Sequence, residues 1–234
     1  CKDMGMGIFN FMDDVFNLTK KRVIAISREI LRRHLTIAWT FTGRVDVMDR
    51  EMLEIARESG LTRVSFGIES GSDDILRYLN KGFTIAEAKE TVRLCKEMGI
   101  SVYGYFLLGI PFETQDQVEK TLGLAFDLGL DVAQFSPLTP GPGTRLYEIA
   151  LEKGGFDRDY FLEYARNPQS TPQIKCWETT FTQEEIQKIV RSAYRRFYLR
   201  PGFFFGSLRG LTSPEEMWRH ARAGLSMFKF VLGY

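Results

Sequence analysis

The sequence predicts an α/β protein built on a parallel sheet and followed by a helical extension. Three observations carry that class. Apolar runs at 7–12, 35–41, 63–68, 101–108 and 131–136 read as strands. The stretches between them are long enough for crossover helices, so a strand-helix unit recurs about every 30 residues. Helix start and stop signals fall inside those stretches. Strands and helices alternating in this way form right-handed βαβ units, either in an open doubly wound sheet or in part of a (β/α) barrel.

The first run, Gly7-Ile8-Phe9-Asn10-Phe11-Met12, leads through Asp13-Asp14 into a helix with Val23, Ile26 and Ile30 on one side. Lys20, Lys21, Arg22 and Arg32 point mostly elsewhere, as expected of an amphipathic crossover. The second run is Leu35-Thr36-Ile37-Ala38-Trp39-Thr40-Phe41 and the third Arg63-Val64-Ser65-Phe66-Gly67-Ile68. Before the fourth, Thr84 and Glu87 are spaced as a capping box and Gly99 closes the helix. Before the fifth, Thr114, Gln117 and Gly129 repeat that design. Beyond residue 136 the pattern changes. Thr139-Pro140-Gly141-Pro142-Gly143-Thr144 is a turn cluster, and 153–181 is aromatic without a clean period. Thr182 and Glu185 then cap a helix with Ile186, Ile189, Val190, Ala193 and Phe197 on its apolar face, and Ser213-Pro214-Glu215-Glu216 opens another. The expected division is a sheet-building part over 1–150 and an aromatic, basic helical extension over 151–234.

Composition narrows the function classes. The 234 residues carry 31 basic and 30 acidic side chains, a net charge of +1 that argues against a whole-chain nucleic-acid binder. No apolar run approaches the roughly 18 to 20 residues needed to cross a bilayer. From residue 182 onward there are nine Lys or Arg against four Asp or Glu, and ten aromatics lie between Tyr194 and Tyr234. That tail, with Phe203-Phe204-Phe205 and Trp218, reads as a docking surface, with weak contact to anionic lipid as the alternative. Cys1, Cys95 and Cys176 are far apart and no secretory signal is present, so a reducing cytoplasm is the expected compartment. The chain opens on Cys1 in a stretch resembling a helix end, which reads as part of something longer.

Active sites in parallel α/β folds form at the carboxyl ends of the strands. The residues just past the five runs are Asp13-Asp14, Thr42-Gly43-Arg44, Glu69-Ser70-Gly71, Gly109-Ile110-Pro111-Phe112-Glu113, and, near the last, Gln134 and Ser136. Carboxylates, an Arg, glycine-rich backbone and an amide on one rim suit a polar, partly cationic ligand. Simpler readings exist for each. Asp13 and Asp14 could satisfy helix amides, Glu69 could pair with Arg44 or Arg63, and Gly109-Ile110-Pro111 could be loop punctuation. The sequence has two distant histidines, His34 and His220, and no Cys-x-x-Cys or His-Glu-x-x-His spacing, so no zinc or iron site is complete in it. A Walker loop, a dinucleotide fingerprint and a nucleophile elbow are also missing.

Six segments carry a resemblance in order and spacing: Phe11-Met12-Asp13-Asp14-x-Phe16; Arg44-x-Asp46; Phe66-Gly67-Ile68-Glu69-Ser70-Gly71; Leu79-x-Lys81-Gly82; Phe106-x-x-Gly109-Ile110-Pro111-x-Glu113-Thr114; and Pro140-x-Pro142-Gly143-Thr144-x-Leu146-Tyr147. Together they resemble the radical S-adenosylmethionine superfamily over about residues 5 to 150. Within it they are similar to members with an amino-terminal cobalamin-binding domain, which include oxidative cyclases and carbon methyltransferases. The Arg195-Arg196-Phe197-Tyr198-Leu199-Arg200-Pro201 stretch resembles that subgroup's carboxyl-terminal extension.

The resemblance implies a partial (β/α)6 TIM-like barrel whose first strand, cysteine loop and any cobalamin domain lie upstream of Cys1. It implies S-adenosylmethionine as cofactor and a four-iron, four-sulfur (4Fe-4S) cluster that cleaves it to a 5′-deoxyadenosyl radical, with cobalamin relaying a methyl group in one branch. The cluster's Cys-x3-Cys-x-x-Cys loop is absent here, which implies metal ligands outside this chain and an inactive fragment. By position, Asp13 and Asp14 match the segment that meets the cofactor's amino group, Glu69 a ribose-facing polar residue, and Arg44 and Lys81 basic positions near its carboxylate, with Ser70 counted in the same cofactor-binding set. Gly109-Ile110-Pro111 match an adenine platform, with Gln134 and Ser136 completing the cofactor-binding rim. The implied partners are a bulky small-molecule substrate and upstream domains of the same protein. Two other functions stay open on the residues alone: a non-catalytic docking module, and a metal-free enzyme using Asp13, Asp14 and Glu69 as acid and base groups.

Overall fold

A computed structural model describes residues 7–156, 159–168 and 175–200. Cys1, the helix expected from Ser213 and the Phe203-Phe204-Phe205 and Trp218 cluster lie outside the described residues. The sheet has five strands in sequential order: β1 (Ile8–Phe11), β2 (Ala38–Gly43), β3 (Leu61–Glu69), β4 (Ser101–Leu108) and β5 (Val132–Pro137). The pairs β1–β2, β2–β3 and β3–β4 are parallel. The sheet stays open, as a partial barrel does. Between its strands run α1 (Lys20–Arg32), α2 (Arg50–Glu58), α3 (Asp73–Tyr78), α4 (Ile85–Glu97) and α5 (Gln115–Asp127). After β5 come α6 (Arg145–Glu152), α7 (Tyr160–Arg166) and α8 (Gln183–Tyr198).

The described residues divide into two compact units, those within 7–106 and 115–134, and those within 107–114 and 135–200. In the first, Val64, Phe66 and Ile68 on one face of β3 are fully buried, as are Met52, Leu53 and Ala56 of α2. Phe11, Phe16, Trp39 and Phe41 form an aromatic cluster with ring centroids 4.6 to 5.9 Å apart. In the second unit, Tyr147, Ala150, Phe156 and Trp177 form one buried cluster. Phe135 meets Tyr194 and Phe197 of α8 edge-on.

Local chemistry sets the boundaries. Two of the expected capping boxes form, Thr84 with Glu87 at α4 and Thr182 with Glu185 at α8. Neither Asp13 nor Asp14 caps α1; Thr19 does, and Asp13 instead pairs with Arg22. The second strand begins at Ala38, not Leu35. His34 takes a left-handed φ of 51°, and the Leu35 N–H donates to Ile30 O at 3.1 Å, a Schellman closure of α1. An amide used to close a helix cannot start a sheet ladder. α7 rises from the stretch with no clean period, because Asp159 accepts from Leu162 N–H and caps it.

Candidate active site

The end of β3 is shaped by an uncommon turn. Glu69, its last residue, has φ 69°, and Ser70 N–H donates across it to Ile68 O at 2.9 Å. That is a γ-turn of the strained hand, a conformation costing an L-residue roughly 1 to 3 kcal/mol. The turn is held from behind. Ser70 is fully buried, and its hydroxyl bonds Thr121 Oγ1 at 3.2 Å and accepts from Ser72 N–H at 3.2 Å. Gly71 N–H donates to the same Thr121 oxygen at 2.9 Å, and a Cβ on Gly71 would sit 2.3 Å from Lys120 O. Ser70 and Thr121 therefore position the turn, and the sequence had marked only the first of them.

With its backbone pinned, Glu69 folds its side chain back over β3. An ideal Cβ on Gly67 would lie 2.4 Å from Glu69 Oε1 and 3.4 Å from Lys81 Nζ, so the carboxylate occupies the space a side chain at 67 would fill. Its partner is Lys81, at 3.1 Å, and not Arg44 or Arg63. Lys81 arrives there through a second helix closure. After α3, Asn80 takes φ 53° and Lys81 N–H donates to Leu76 O. Arg44 pairs with Asp46 at 2.8 Å and donates from Nη2 to Lys81 O at 2.8 Å, bracing the same turn. The Glu69 and Lys81 side chains keep 16% and 25% of their exposure, so the pair is reachable. Arg63 instead lies 4.6 Å over the Tyr103 ring.

The segment after β4 has another chemistry. Gly109, Ile110 and Pro111 are buried, and the amides of Gly109 and Ile110 both donate to Glu113 Oε2, at 2.9 and 3.3 Å. Gly109 has φ 72°, and a Cβ there would meet Ile186 at 2.6 Å, so its close approach is made by α8. These amides are taken by the protein itself, leaving no free N–H at Gly109 or Ile110 to read a base edge. Glu113 is fully buried with Oε1 unpartnered, and burial pushes its carboxyl up to about 7 against the two amide bonds that pull it down. The motif contained Glu113, yet its role shows only once the loop turns back on itself. Of the other rim residues, Asp13 and Asp14 are exposed past β1, Gln134 is exposed on β5, and Ser136 is half-buried.

The described residues do not fit an iron-sulfur cluster. No three potential ligands gather among them, and the buried thiols of Cys95 and Cys176 are both raised by desolvation, Cys95 to about 12. Neutral, separated thiols are not cluster ligands. No described helix is long and apolar enough to cross a membrane.

A family model described as the Radical SAM superfamily matches residues 2–125, more than half of the chain. The chain belongs to the radical S-adenosylmethionine superfamily. An uncharacterized methyltransferase of Pyrococcus horikoshii is 38% identical over 199 residues, covering 85% of this chain and 42% of that protein. The anaerobic magnesium-protoporphyrin IX monomethyl ester cyclase of Cereibacter sphaeroides is 32% identical over 210 residues, 88% of this chain and 33% of its own. Among solved structures, the radical S-adenosylmethionine methyltransferase TsrM of Kitasatospora setae, with cobalamin and a [4Fe-4S] cluster bound, superposes with a TM-score of 0.60. It is 25% identical, over 65% of this chain and 30% of that one. The chain thus spans less than half the length of these relatives. Radical SAM membership accounts for the open parallel sheet.

Proposed function

We propose that this chain is the barrel portion of a cobalamin-dependent radical S-adenosylmethionine enzyme that methylates or oxidatively cyclises a bulky substrate, and that Glu69 holds the cofactor. The carrying observation is the strained turn that throws the Glu69 carboxylate over Gly67, where only glycine leaves room for it. A carboxylate there accepts from ribose hydroxyls, and its charge favours a nearby sulfonium. Lys81 orients the carboxylate from one side and supplies a cation for the cofactor's own carboxylate, while Arg44 holds the Lys81 backbone in place. Bound there, S-adenosylmethionine supplies methyl or one-electron chemistry; the cluster and cobalamin are held by residues other than those described. The family match and the TsrM and cyclase likenesses support this reading.

The test is anaerobic calorimetry of S-adenosylmethionine binding to the whole protein, reconstituted with iron and sulfide. A carboxylate hydrogen bond contributes about 1.5 to 3 kcal/mol, so Glu69→Ala is expected to weaken binding roughly 10- to 150-fold. Unchanged affinity would remove Glu69 from the site.

A further inference from the structure

Phe112 stands out in the second unit on two counts. It is 57% exposed although apolar, and its φ of 65° lies in the left-handed region that a bulky residue avoids. The left-handed backbone costs stability, and the surroundings hold the ring where it is. Its N–H donates to Thr179 Oγ1 at 2.8 Å, and its ring meets Trp177 edge-on at 5.8 Å. Trp177 is itself anchored in the buried cluster with Tyr147, Ala150 and Phe156. Lys153, at the C-cap of α6, places its ammonium 6.0 Å from the Phe112 centroid.

Phe112, Lys153, Trp177, Thr179 and Thr180 line one open cavity of about 390 Å³. Among the described residues Lys153 makes no ion pair and the Thr180 hydroxyl no hydrogen bond. Thr179 accepts from Phe112 and so keeps its own proton to donate. A fixed aromatic wall, an unneutralised cation and two hydroxyl donors around one cavity define a ligand that is flat on one side and anionic at one end.

We propose that this cavity binds a planar aromatic carboxylate. The ligand's ring lies against Phe112 beside Trp177, one carboxylate oxygen meets Lys153 Nζ, and the other accepts from Thr179 or Thr180. The volume is near the lower end for small-molecule sites, which limits the ligand part held here to about two fused rings. As to role, and resting on the function proposed above, the cavity anchors an aromatic, acid-bearing part of the substrate.

Its existence is tested without S-adenosylmethionine or a cluster, by fluorescence titration of the protein with naphthoate and with its neutral analogue naphthalenemethanol. Saturable one-to-one binding with naphthoate the tighter ligand is expected. Lys153→Gln should weaken naphthoate roughly 3- to 5-fold, the range for an exposed charge pair, and leave naphthalenemethanol unchanged. Phe112→Gly should weaken both about 10-fold or more through the lost ring face. Glycine suits the left-handed backbone, so cooperative melting should persist and separate ligand loss from misfolding. Absence of saturable binding, or equal effects of Lys153→Gln on both probes, would overturn the proposal while leaving the role of Glu69 untouched. Glu69→Ala, in turn, should leave naphthoate binding as it was.

Discussion

Glu69 ends β3 and Glu113 lies in the loop after β4, and each comes with a glycine that a Cβ would crowd, yet they do opposite work. Glu69 gives its backbone to a strained turn and keeps its carboxylate reachable, against a lysine and over a bare Gly67. Glu113 gives its carboxylate to the backbone, closing the loop through the amides of Gly109 and Ile110, and is sealed from water. The first arrangement leaves a carboxylate open to solvent beside its lysine; the second is scaffolding. What separates them is the number of protein donors around the carboxylate and its access to solvent, and neither depends on residue type.

The largest effect that could break this contrast is on stability. Glu113→Ala removes the acceptor of two buried amides, at about 1 to 3 kcal/mol each, so a loss of about 4 kcal/mol is expected in urea unfolding. Glu69→Ala removes a partly exposed ion pair and should cost less than about 1 kcal/mol. Similar losses for the two variants would mean that both carboxylates are structural.

Acidity sharpens the contrast next. The Glu113 carboxyl is raised from 4.5 to about 7 in the folded protein, chiefly by burial. The folded state therefore holds a proton that the unfolded chain has released, and the group's contribution is fully present below pH 4.5. It is lost as pH rises toward about 7 and stays lost above that. A shift of this size corresponds to roughly 3 kcal/mol. Glu113→Gln keeps an oxygen for the two amides and cannot titrate. Between pH 4.5 and 7 the wild-type protein should lose stability relative to that variant, and parallel profiles for the two would refute the buried acid.

These two sites also mark how far the sequence could be read. The runs at β1, β3, β4 and β5 were legible because apolar side chains declare strands directly, and the capping boxes of α4 and α8 because their partners lie three residues apart. The start of β2 was not, since Leu35 is apolar enough for a strand and only the left-handed His34 diverts its amide back to α1. Glu69 was legible as a strand-end carboxylate, but its partner was not. Lys81 reaches it through a left-handed turn at Asn80, whereas Arg44 and Arg63, the expected partners, are engaged by Asp46 and Tyr103. Glu113 and Thr121 escaped for a related reason: their partners are backbone amides, which every residue but proline possesses and which leave no mark in a sequence.

The smallest expected change in stability carries the finest test of the comparison. Gly67→Ala places a Cβ where Glu69 Oε1 now lies, 2.4 Å from its ideal position. The obstructed atom is the far end of a flexible side chain, so the carboxylate can move aside. Alanine also recovers roughly 0.5 to 1 kcal/mol of backbone entropy over glycine within a strand. Net stability should therefore change by less than about 1 kcal/mol, while the carboxylate is displaced from Lys81 and from the position where the cofactor would meet it. If that position matters, S-adenosylmethionine affinity falls about 10-fold in Gly67→Ala, and the same substitution made on top of Glu69→Ala has no further effect. Additive losses in that cycle would mean that Gly67 acts on the cofactor by some route other than Glu69, and an unaltered affinity would mean that the bare strand under the carboxylate serves the turn alone.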